Sequence, residues 1–68
     1  MLHVEREIVV NNDPFYDNVS RFDDYTEAKL FFDSITPADG ERWLLEYSSE
    51  YDARILESKG TILVYTDA

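Results

Sequence analysis

The chain opens on a two-residue alternation. Leu2, Val4, Ile8 and Val10 fall on one side of an extended backbone, interrupted by Arg6, while His3, Glu5, Glu7 and Val9 fall on the other. Period two with β-branched residues predicts a strand over residues 2 to 10 with one covered face. Asn11, Asn12, Asp13 and Pro14 end it with turn chemistry. No regular element is assigned from there to Asp23, so a long acidic and aromatic connection is expected. At Asp24 the period changes. Tyr25, Ala28, Phe31, Phe32 and Ile35 form one stripe at helical spacing, with Leu30 on the polar side. Asp24 followed by Glu27 is a capping-box pattern, and both acids suit the positive end of a helix dipole. Thr36-Pro37 stops the helix, because a residue before proline resists the α region.

Pro37 to Gly40 reads as a turn, and "ERWLLEYS" (41 to 48) as a second strand with Trp43, Leu45 and Tyr47 on one side. Ser49 to Asp52 is a hairpin connection, "ARILES" (53 to 58) a third strand, Lys59-Gly60 a tight turn and "TILVYT" (61 to 66) a fourth strand. Strands joined by short turns make an antiparallel meander. The expected fold is therefore α+β, a single two-layer domain over residues 1 to 68 in the order β-α-β-β-β. One amphipathic helix packs on a small, mainly antiparallel sheet. Were the strands on either side of the helix parallel in one sheet, their crossover would be right-handed. The sheet face away from the helix stays open and carries Glu5 and Glu7, about 7 Å apart along the strand.

Composition narrows the chemistry. The chain has 68 residues and no cysteine, so neither a disulfide nor a thiolate site is available. Its start has charges at Glu5, Arg6 and Glu7 inside the apolar run, unlike a signal peptide, and no stretch is long enough to span a membrane as a helix. Fifteen Asp and Glu against six Lys and Arg give a formal net charge of −9. Such a chain is repelled by nucleic acid and by anionic membrane, and its natural partner is a basic surface. Solubility alone also accounts for a high charge.

Catalytic signals are weak. His3, the only histidine, reads as a solvated strand residue. No His, Cys and carboxylate spacing matches a zinc site. A calcium loop starting at Asp13 fails, because Phe15 and Val19 occupy ligand positions and no glycine makes the sharp turn. With two glycines, Gly40 and Gly60, there is no phosphate-cradling loop. The expectation is a protein that is not an enzyme and uses no cofactor or metal. Its acids are spread over nearly every element, and the partner-binding candidates are Glu5, Glu7 and Glu46 on the open face with Glu50, Asp52, Asp17 and Asp23 at its margins. Carboxylates on alternate strand residues are spaced somewhat like phosphates, so a basic groove built for nucleic acid would attract them.

"FDDYTEAKLFF", Phe22 to Phe32, set between a strand and a meander, looks like many very small proteins of phages and mobile elements. In element order and acidity the chain resembles anti-CRISPR proteins of the compact strand–helix–strand–strand type. That resemblance implies stoichiometric binding to a CRISPR effector in a bacterial cytoplasm, covering the basic surface that reads the PAM-flanking duplex or holds the target strand. It implies neither direct nucleic-acid binding, nor membrane association, nor catalysis. The alternative is a general protein-interaction module or small homodimeric subunit that uses apolar surface such as Trp43 or Leu44 on the exposed sheet side. Monomer and homodimer both stay open.

Overall fold

A computed structural model describes residues 1 to 62 and contains four strands and one helix. They are β1 (Leu2–Val10), β2 (Asp13–Phe22), α1 (Tyr25–Ser34), β3 (Arg42–Ser48) and β4 (Ala53–Gly60). The α+β class and the helix-on-sheet layering are as expected, but the order is β-β-α-β-β. The connection expected between Asn11 and Asp23 is largely a strand. Gly60 closes β4 rather than forming a turn. Thr61 and Ile62 are not in a strand, and the rest of the strand expected over 61 to 66 lies outside the described residues.

β1 and β2 form a hairpin. Val10 pairs with Asp13 across the two-residue loop Asn11-Asn12, whose φ values are 53° and 67°. Positive φ at both central residues marks the primed turns that match strand twist, and asparagine tolerates that region. The two-residue alternation in β2 is broken at Asn18, also at positive φ (52°), where the ladder register shifts between Val4 and Arg6. This β-bulge puts an extra residue into β2 and bends it.

The sheet order is β2-β1-β3-β4, with each neighbouring pair antiparallel. The strands 2 to 10 and 42 to 48 are thus antiparallel neighbours, not a parallel pair. The crossover instead links β2 to β3, which flank β1 and are parallel to each other. That requirement explains why α1 is where it is: a chain leaving one side of β1 and returning on the other must pass over a sheet face.

Asp24 caps α1 through a side-chain oxygen that accepts from the Glu27 N–H, and the helix ends as Ile35 donates its N–H to the Phe32 carbonyl. Of its expected apolar stripe, Ala28, Phe32 and Ile35 sit on the sheet, while Tyr25 and Phe31 stay exposed. Val4, Ala28, Phe32 and Leu45 are buried together, with Leu2, Phe22, Ile35 and Trp43 packed around them. The Phe22 and Phe31 rings meet at 5.4 Å between centroids, and the Lys59 ammonium lies 4.6 Å from the Phe32 centroid. So small a core leaves little margin: removing one large buried side chain costs about 3–5 kcal/mol, much of a small domain's stability. Arg6 interrupts the apolar side of β1 for a structural reason. Its guanidinium makes two hydrogen bonds to Asp17 on β2, at 2.7 and 2.5 Å, and one to Glu41 at 2.7 Å.

Candidate functional site

The pleat sends Leu2, Val4 and Arg6 toward the helix side and His3, Glu5 and Glu7 to the opposite face. Antiparallel pairing lays these out in rows. Across one row stand Arg21, His3 and Glu46, and across another Tyr16, Glu7 and Arg42. Between them Glu5 faces Leu44, while the β2 bulge leaves Glu5 without a register partner on its other side. No other described helix or strand lies over this face, yet it is not freely solvated. Leu44 is only 2% exposed, and the side chains of His3, Glu5 and Glu46 are 16%, 14% and 17% exposed.

The two rows differ electrostatically. Glu7, only 4% exposed, is neutralised: Arg42 donates to its Oε1 at 2.6 Å and the Tyr16 hydroxyl to its Oε2 at 2.7 Å. That bond to the Glu7 carboxylate raises the Tyr16 pKa above its ordinary value. A buried carboxylate with two guanidinium nitrogens on one oxygen and a hydroxyl on the other is a structural ion pair. The other row has no such relief. His3 Nε2 stands 3.5 Å from Glu46 Oε2 and 3.8 Å from Glu5 Oε1. Partial burial, then the adjoining Glu46 carboxyl, pushes the Glu5 pKa up to about 7. One donor atom from each of His3, Glu5 and Glu46 lies within 4.8 Å of the others, a set able to hold a cation.

The seven expected partner-binding residues therefore separate. Glu5, Glu7 and Glu46 do share the open face, but Glu7 is committed to Arg42. Asp17 lies on the helix side, held by Arg6, and that guanidinium lowers its pKa. Asp52 in the β3–β4 connection pairs with Arg54 at 2.6 Å. Asp23 and Glu50 are exposed and make no ion pair among the described residues. His3 was expected to be a solvated strand residue. It is largely shielded and sits between two carboxylates, a grouping created by cross-strand register rather than by sequence spacing. Trp43 and Leu44 do not serve as exposed apolar anchors: Trp43 packs against the core under α1 and Leu44 is buried.

Elsewhere, Pro37, Ala38, Asp39, Gly40, Gly60 and Thr61 line a hollow of about 320 Å³, and among the described residues its titratable side chain is Asp39. Among the described residues no helix is long and apolar enough to cross a membrane.

Comparison with protein-family models, with curated proteins and with solved structures gives no match.

Proposed function

We propose that this chain is a non-enzymatic acidic binding protein that occupies the basic, nucleic-acid-binding surface of a partner protein. The observation that carries this reading is how its charges are partitioned. Of the six Lys and Arg, Arg6, Lys29, Arg42 and Arg54 are tied up in ion pairs with this chain's own carboxylates. Lys59 donates to the Phe32 carbonyl and lies over its ring. Asp13, Asp23, Asp24, Glu27, Asp39 and Glu50 are exposed and have no cationic partner among the described residues. The outward field is thus negative at the hairpin turns and at the start of α1, and a basic groove would be steered toward it. With the anti-CRISPR resemblance, the partner class is a CRISPR effector complex in a bacterial cytoplasm, engaged through protein contacts and without catalysis.

Exposed apolar side chains favour a second reading, a general interaction module or homodimer. Tyr51 is 91% exposed, Leu30 67%, Phe15 56% and Ile55 55%. These lie on the β3–β4 connection, the outer side of α1, and strands β2 and β4. Such side chains supply the desolvated anchors that charge alone lacks.

The test is displacement of duplex DNA from a CRISPR effector, read by association kinetics. Lysine at Asp13, Asp23 and Glu50 together should lower the association rate about tenfold or more, as should moderate salt. Displacement indifferent to both changes would reject the electrostatic reading. A self-association equilibrium that disappears on replacing Tyr51 and Leu30 with serine would favour the second reading.

A further inference from the structure

We propose that His3, Glu5 and Glu46 form a binding site for a divalent first-row transition metal ion, independent of any basic partner. The half-buried and buried acids differ in what neutralises them. Glu7 has Arg42, Asp17 and Glu41 have Arg6, and Glu57 has Lys29 at 2.8 Å. Glu5 and Glu46 are the exceptions. Among the described residues the basic side chain beside them is the His3 imidazole, not a Lys or Arg. The sequence offers little else: the six Lys and Arg all lie within the described residues, and Arg21, the one on this face beside His3, is exposed and makes no ion pair among the described residues. Two adjoining carboxylates withdrawn from water are relieved either by a retained proton or by a positive charge, and metal coordination supplies that charge where no Lys or Arg does.

His3 Nε2 lies 3.5 and 3.8 Å from the two carboxylate oxygens. Both gaps are too long for good hydrogen bonds. Ligand atoms about 2.0–2.2 Å from a tetrahedral zinc ion are separated by roughly 3.3–3.6 Å, so a modest rotation of Glu5 brings all three onto one ion. Chemistry selects the ion. Imidazole nitrogen favours transition metals over Mg²⁺ or Ca²⁺, and zinc accepts both imidazole nitrogen and carboxylate oxygen, three protein ligands leaving a fourth position to water. The backbone fixes the arrangement: His3 and Glu46 are register partners, and Glu5 is two residues along the same strand.

The experiment uses the tag-free chain, stripped with a chelator and titrated with Zn²⁺ near neutral pH. Heat of binding and the His3 ring-nitrogen resonances are both followed. One equivalent per chain is expected, with a large shift of His3 Nε2. His3→Ala, Glu5→Gln and Glu46→Gln should each weaken binding about tenfold or more, whereas Asp23→Asn and Glu50→Gln, which remove surface carboxylates, leave it unchanged. No uptake, an unmoved His3 resonance, or several weak equivalents reduced equally by the surface variants would overturn the site. Should a site variant fail to fold by circular dichroism, the His3 resonance of the unmodified chain decides alone.

Discussion

A single backbone angle limits what residue 60 can be. Gly60 closes β4 opposite Arg42 with φ at +97°, a conformation costly to any L residue with a Cβ. Space is also lacking, since an added Cβ would sit 2.2 Å from the Glu41 carbonyl oxygen and 3.0 Å from the Pro37 Cβ. Gly60→Ala should therefore lower stability by about 2–4 kcal/mol. It should appear as a lower urea midpoint with an unchanged slope; an unmoved midpoint would refute the packing argument. The sequence marks Lys59-Gly60 as unusual through turn chemistry, which is right about the conformation and wrong about the context. Asp24 is the opposite case. Its role as a cap was legible because a cap depends on residues three positions apart. The His3 cluster was not, because Glu46 is adjacent only after two strands pair in one register.

At the level of elements, the helix and the strands β1 and β3 were legible because each keeps one period, and β4, whose register shifts opposite Leu45 and Glu46, because turn residues precede it. β2 was not. Asn18 at positive φ shifts the alternation partway along it, Pro14 sits near its start, and Asp13 and Asp17 give it the composition of a loop. Nearly all of β2 is exposed or half-buried, so the apolar alternation that a covered face imposes is largely missing. What makes it a strand is the hairpin turn at Asn11-Asn12, together with the Arg6–Asp17 pair across the ladder. The turn is open to improvement. Asn12 adopts φ 67°, where glycine bears no Cβ penalty, and Asn-Gly is the favoured pair in this turn. Asn12→Gly should stabilise the fold by about 0.5 kcal/mol, read as a higher thermal midpoint. A lower midpoint would mean that the asparagine side chain contributes more than the backbone angle costs.

Over the whole molecule, acids in opposite situations set the pH response. Arg6 holds the Asp17 and Glu41 carboxyls below their usual range, helped at Glu41 by the Ala38 N–H and the Trp43 indole. A depressed folded pKa means stability that is present above the ordinary carboxylate value and lost on acidification. Glu5 has the reverse sign. Its folded pKa is raised from 4.5 to about 7, so between those values the folded chain binds more protons than the unfolded one. Stability must then fall as pH rises through this window, and repulsion within a chain of net charge −9 pushes the same way. Discounted for solvent screening, the Glu5 contribution is about 1–2 kcal/mol. Urea denaturation of the chelator-treated chain should therefore give greatest stability near the acid end of that window. Glu5→Gln, which cannot ionise, should flatten the decline toward neutral pH while leaving the acid limb in place. A decline equally steep in the variant would assign it to net charge alone, and Glu5 would then be an ordinary solvated carboxylate despite its place between His3 and Glu46.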